Sequence, residues 1–159
     1  MAGIEIERKF LILRERADFW NLPGEEIIQG YLNTHPERTV RVRLGEGRAW
    51  LTIKGAVRAA ARREYEYPLP VEEARELLAL CEQPPLTKIR RRLSYRGFAW
   101  EADEFTGANR GLLLAEIELD EAAQVFPLPP WAGREVTGDP RYYNSALVQR
   151  PFSEWPSPD

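Results

Sequence analysis

From residue 39 the chain reads TVRVRL, with Arg41 and Arg43 two positions apart and Val40, Val42 and Leu44 in the other slots. Side chains of an extended strand point alternately to its two faces, so this segment has a basic face and an apolar one. The device recurs along the chain, and it limits the fold more than any other feature. In GIEIERKF, Glu5, Glu7 and Lys9 share one face and Ile4, Ile6 and Phe10 take the other slots, with Arg8 as an exception. In AWLTIKG, Lys54 joins Trp50 and Thr52 opposite Leu51 and Ile53, and in RREYEYPL, Glu64 and Glu66 oppose Tyr65 and Tyr67. TKIRRRLSY aligns Lys88, Arg90 and Arg92 opposite Ile89 and Leu93, with Arg91 out of pattern. FAWEADEF aligns Glu101 with Asp103, and LLLAEIEL sets Glu116 and Glu118 against Ala115, Ile117 and Leu119.

This periodicity predicts strands over 3–11, 25–33, 38–45, 48–55, 62–69, 87–95, 98–105 and 112–119. The GEGR (45–48) and YRGF (95–98) segments read as hairpin turns, and TGANRG (106–111) as a longer loop. So many short strands argue for a β-sandwich or a barrel. A helix is expected over 70–81, where acids precede apolar residues at helical spacing; a shorter one over YYNSALVQ and a third over 13–20 complete the set. FPLPPW (126–131) reads as a connector and residues 156–159 as a frayed tail.

With 159 residues the chain fits a single domain, expected over 1–159. A net charge of -3 gives no global sign of a nucleic-acid or membrane-surface binder. Cys81 is the only cysteine and His35 the only histidine, which removes disulfide frameworks, thiolate clusters and His-based triads. A metal would therefore need oxygen ligands, which favours a hard ion such as Mg²⁺ or Mn²⁺. No signal peptide precedes the first strand and no apolar run suits a membrane helix, so the expected location is cytoplasmic, with no membrane or nucleic-acid partner.

The charges come as like-signed pairs two residues apart, which repel along a face unless something of opposite sign lies between them. Acidic pairs call for divalent cations and basic pairs for an anion such as a polyphosphate; a metal–triphosphate complex suits both. Alternation alone leaves two orientations open. A sheet with an apolar inside and a charged, solvated outside has the same period as a barrel with a charged lumen.

The E-x-E-x-K of EIERKF resembles the opening of the CYTH superfamily, the triphosphate tunnel metalloenzymes. The later elements follow in that family's order: R-x-R in TVRVRL, the lysine of LTIKG, E-x-E in REYEY, K-x-R in TKIRRR, then WEADEF, and E-x-E in AEIELD after a GANRGL loop. The closing GREVTGDPRYYNSAL is also similar, so the resemblance runs from residue 3 to about 152. It implies a mainly β fold, an eight-stranded antiparallel closed barrel with a few peripheral helices, whose charged face points inward and lines a tunnel.

The resemblance also implies roles. Lys9, Arg41, Arg43, Lys54, Lys88, Arg90 and Arg92 would bind the triphosphate, Arg92 least securely because it approaches a strand end. Glu5, Glu7, Glu116 and Glu118 would hold Mg²⁺ or Mn²⁺, two ions in all, and Glu5, Glu7, Lys9, Lys54 and Lys88 would form the catalytic set. Glu64, Glu66, Glu101 and Asp103 would assist or pair with the bases, and Tyr31 could bond a lysine such as Lys88 at the tunnel mouth. The implied reaction is water attack on a terminal phosphorus. The short chain is most similar to bacterial members that hydrolyse inorganic tripolyphosphate. Adenylyl cyclase of class IV, thiamine or nucleoside triphosphatase, and a non-catalytic polyphosphate- or nucleotide-binding module are the alternatives. A small-molecule substrate is the expected partner, with a homodimer left open.

Overall fold

Strands form where the alternation places them. A computed structural model describes residues 2–156, so all of the expected tail but Pro156 lies outside the described residues. The strands are β1 (Ala2–Ile12), β2 (Glu25–Asn33), β3 (Arg38–Gly45), β4 (Arg48–Gly55), β5 (Ala61–Leu69), β6 (Leu86–Tyr95), β7 (Phe98–Phe105) and β8 (Leu113–Glu118). Both short hairpins turn through two residues with positive φ, Glu46 (51°) with Gly47 (71°) and Arg96 (46°) with Gly97 (85°). That geometry matches the twist of the flanking strands.

Every pairing is antiparallel, in the order β5-β4-β3-β2-β6-β7-β8-β1. The sheet closes because β1 serves two neighbours. Its first half, Ala2–Ile6, pairs with Tyr65–Ala61 of β5, and its second, Glu7–Leu11, with Glu118–Leu114 of β8. The result is the closed eight-stranded barrel implied by the resemblance, and it leaves no free edge among those eight strands.

The elements outside the barrel were less legible. A ninth strand, β9 (Ala132–Glu135), adds to the end of β1; four residues behind a Pro-rich connector carry too little alternation to announce it. The helix expected over 70–81 is α1 (Val71–Ala79). The 13–20 region yields only a 3-10 turn at Arg14–Arg16, and YYNSALVQ a 3-10 turn at Pro140–Tyr142 followed by α2 (Asn144–Leu147). No helix among the described residues is long and apolar enough to cross a membrane.

The apolar faces of the strands point outward, and over much of the barrel they are covered there. Phe10, Trp100, Ala102, Ala115 and Ile117 lie under Phe19, Phe126 and Trp131, with Trp100 edge-on to Phe10 at 5.7 Å and to Trp131 at 5.4 Å. On the other side α1 packs on β2–β4 around Val42, Ala49 and Ala74. The helix comes so close to β2 that a Cβ on Gly30 would stand 2.8 Å from the Cys81 sulfur. A third cluster lies on the inward side: Tyr31, Leu86, Phe105 and Leu114 share the parity of the lumen charges and pack with Val136, Tyr142, Leu147 and Val148 of the C-terminal segment. With most of the apolar face packed outside, though Ile4 and Tyr67 on the β1–β5 side stay exposed, the charged face is left to line the lumen.

Candidate active site

The lumen holds a cavity of about 230 Å³. All of the charged residues singled out in the sequence border it except Asp103, which lies beneath it, and Tyr31 borders it too. The expected like-charge repulsion is resolved by interleaving, because strand register sets each base beside an acid of a neighbouring strand. Lys9 lies opposite Glu116 and Lys54 opposite Glu64, while Arg90 meets Asp103 and Arg92 meets Glu101.

Contacts follow that register. Lys54 Nζ donates to Glu5 at 2.9 Å and lies 3.3 Å from Glu64. Arg90 grips Asp103 with two 2.8 Å bonds and reaches Glu101 at 3.1 Å. Lys88 Nζ, 1% exposed, donates to Asp103 at 2.8 Å and to the Asn144 side-chain oxygen at 3.0 Å. Lys9 Nζ stands 3.7 Å from Glu116 and donates to the Tyr142 carbonyl at 3.3 Å. Arg92, half exposed at the rim, bonds Glu25 at 2.8 Å. The out-of-pattern residues are outside: Arg8 pairs with Glu135 at 2.6 Å and Arg91 with Glu104 at 3.1 Å.

Two arginines break the pairing pattern. Arg41 Nη2 donates to Thr52 Oγ1 at 3.1 Å and lies 3.6 Å from Glu66, but its buried Nε has no partner. Arg43 has a single bond, from Nε to the Gln29 side-chain oxygen at 3.3 Å, and no carboxylate within salt-bridge distance among the described residues. Burial, with Arg41 and Arg90 alongside, lowers its pKa to about 10. A half-buried cation with no acidic partner is costly, as is a buried N–H with no acceptor, so Arg43 and the Arg41 Nε suit an anion.

The acids divide into two groups. Burial would raise Glu5, but Lys54 outweighs it, and with Arg62 holds the carboxyl down at about 2. Glu7 goes the other way, pushed up to about 8 by burial and by the charges of Glu116 and Glu5. Glu116 stays far below the carboxylate range despite its burial, held there by Lys9, Arg90 and Lys88 and by a hydrogen bond from Glu7. Glu118, across from Glu7 in the register, is raised by partial burial and by Glu5 and Glu101. Glu64 is likewise raised, by burial first.

No three acidic, His or Cys side chains gather into a ready-made metal cage among the described residues. The donor chemistry nevertheless fits a hard divalent ion. Glu7 and Glu116 are neighbouring, half-buried carboxyl groups whose repulsion helps hold Glu7 up at about 8, and a cation beside them would let both ionise. Glu5 is already engaged by two bases, so Glu7, Glu116 and Glu118 form the better oxygen set.

Sequence reasoning missed Arg62, Gln29 and Asn144. Extending the period-two pattern back from Glu64 reaches Arg62, which lies 3.5 Å from Glu5. Extending it back from Tyr31 reaches Gln29, whose Nε2 donates to the Tyr31 hydroxyl at 3.3 Å. Tyr31 is thus tied to Gln29, while Lys88 goes to Asp103 and Asn144. Asn144 lies on a short C-terminal helix with no period to read.

The arrangement agrees with known proteins. The model of the CYTH domain matches residues 3–143. An inorganic triphosphatase of Acetivibrio thermocellus is 45% identical over 156 residues, covering 96% of this chain and 98% of its own length. An inorganic triphosphatase of Nitrosomonas europaea is 36% identical over 150 residues, covering 91% of this chain and 96% of its own. A crystal structure of an inorganic triphosphatase superposes with a TM-score of 0.65 at 34% identity, covering 91% of this chain and 93% of the other. With the E-x-E-x-K strand, the closed barrel and the charged lumen all in place, this chain belongs to the CYTH domain family.

Proposed function

We propose that the protein is an inorganic triphosphatase, hydrolysing tripolyphosphate to pyrophosphate and phosphate with Mg²⁺ or Mn²⁺. The observation that carries the reading is the Arg41–Arg43 pair, inside an otherwise ion-paired lumen, with a buried Nε and a whole guanidinium left without acidic partners. A linear polyanion supplies what they lack, and its charge is spread over several oxygens, as the row of bases is spread over several strands. The two relatives named inorganic triphosphatase support the choice of substrate.

The chain's own work is positioning and charge stabilisation. Arg41 and Arg43 present forked donors to phosphate oxygens, and Lys9, Lys54, Lys88, Arg90 and Arg92 add charge along the tunnel wall. Asp103 fixes Lys88 and Arg90, and Glu66, Glu64 and Glu101 steady Arg41, Lys54 and Arg90. Glu7, Glu116 and Glu118 would hold the divalent ion, with Glu5 at the edge of that set. When bound, that ion would neutralise phosphate oxygens and acidify a water molecule. Water oxygen attacks the terminal phosphorus in line, the bridging P–O bond breaks, pyrophosphate leaves with the bond's electrons, and one water proton passes to solvent while the other stays on the released phosphate.

The test is phosphate release by the purified protein with Mg²⁺ or Mn²⁺, offering tripolyphosphate, ATP and thiamine triphosphate in parallel. The expected result is turnover of tripolyphosphate well above the other two, reduced by about 10²-fold or more in Glu116→Gln. Binding without turnover would reassign the protein as a binding module, and release of pyrophosphate with a cyclic nucleotide from ATP would make it a cyclase.

A further inference from the structure

Gln29 is fully buried, and both ends of its amide are in use. Its carbonyl oxygen accepts from Arg43 Nε at 3.3 Å, and its Nε2 donates to the Tyr31 hydroxyl at 3.3 Å and to the Asn144 side-chain oxygen at 3.1 Å. That same Asn144 oxygen accepts from Lys88 Nζ at 3.0 Å. Two neutral amides therefore link Arg43 on β3 to Lys88 on β6, through a residue 115 positions from Gln29 in the chain.

Every other tunnel base named above lies near a carboxylate. At Arg43 an amide stands in that place. A guanidinium has five N–H donors; a carboxylate would take two of them and cancel the charge. Gln29 takes only the one on Nε, so both terminal nitrogens stay available and the charge is undiminished. We propose that Gln29 is a positioning residue that aims Arg43 at a substrate phosphate while leaving its charge uncompensated, with Asn144 extending the same support to Lys88. Gln29 does not border the cavity, so it acts through Arg43. The inference rests on the triphosphatase reading and names how that site keeps one cation free.

The experiment measures tripolyphosphate affinity by calorimetry, with kcat, KM and thermal melting, for the wild type, Gln29→Met, Gln29→Glu, Arg43→Ala and Arg43→Ala/Gln29→Met. Loss of one hydrogen bond to a charged group predicts about tenfold weaker binding in Gln29→Met, expressed in KM more than in kcat. In the Arg43→Ala background the same change should alter affinity by no more than about twofold, since the residue it acts through is gone. Gln29→Glu should weaken binding by about a hundredfold while melting no lower than the wild type, because the new carboxylate pairs with Arg43. Should Gln29→Met fail to fold, this oppositely signed pair of effects in Gln29→Glu decides the matter. Equal losses from Gln29→Met in both backgrounds, or wild-type affinity in Gln29→Glu, would overturn the inference and leave the triphosphatase reading standing. A wild type that neither binds nor turns over tripolyphosphate would overturn both.

Discussion

Lys88, like Glu7, is held far from its ordinary pKa by the barrel. Burial drives its pKa from 10.5 down to about 7, against the pull of Asp103 and helped by Arg90 and Arg43. Asp103 would be raised by its burial, yet Lys88 and Arg90 hold it at about 2. Because Arg90 bonds it twice, it remains a carboxylate even when Lys88 sheds its proton. The sign for stability follows. Between about pH 7 and 10.5 the unfolded chain binds a proton at Lys88 that the folded one does not, so this residue makes the empty protein more stable as pH rises through that window. A bound triphosphate reverses the balance by placing negative charge beside the amine. Binding above pH 7 should therefore draw a proton from solution, seen as a dependence of the calorimetric heat on buffer ionisation enthalpy. Lys88→Arg, which cannot deprotonate, should cut the uptake to the share owed to Glu7; undiminished uptake would show that Lys88 is not its source.

Among the elements, α1 depends on one small residue. Gly30 lets the helix and Cys81 lie against β2, where an added Cβ would meet the Cys81 sulfur at 2.8 Å and a Leu78 methyl at 3.1 Å. Gly30→Ala should cost about 1–3 kcal/mol of stability by overpacking, with kcat unchanged because that face of β2 points away from the tunnel. Cys81→Ala in the same chain should recover part of the melting temperature. The strands themselves were legible because a period of two runs through each of them, and eight of the nine could be placed within a residue or so. The acid and base roster was legible for the same reason. What periodicity withheld was direction: TVRVRL reads the same whether its arginines face solvent or a lumen, and only the motif order resolved it. Gln29 and Asn144 stayed hidden because an uncharged amide breaks no pattern, and because the contact between them is made by tertiary packing alone.

For the whole molecule, charge is segregated more than it is abundant. The chain is net negative, at -3, yet the wall of its lumen concentrates buried bases. An approaching polyanion thus meets overall repulsion at long range and attraction only within the lumen, since Arg92 at the mouth is already paired with Glu25. Salt screens the exposed part of that field far more than the buried part. Raising monovalent salt from about 0.05 M to about 0.5 M should raise KM for tripolyphosphate severalfold while kcat changes little. A kcat that fell in step with affinity would point to disruption of the buried pairs themselves.

The double duty of β1 has a temporal consequence. Made before the other barrel strands, β1 finds its partners at residues 61–65 and again at 114–118, with β9 arriving later still. Until those segments exist, Glu7 lacks Glu116 and Lys9 has no carboxylate opposite it. Pairings so distant along the chain form slowly, since their loop-closure entropy must be met before any contact rewards it. The charged lumen is therefore born whole, at the moment the cylinder shuts, and a nascent chain halted before residue 113 should be inert however well its middle strands have paired.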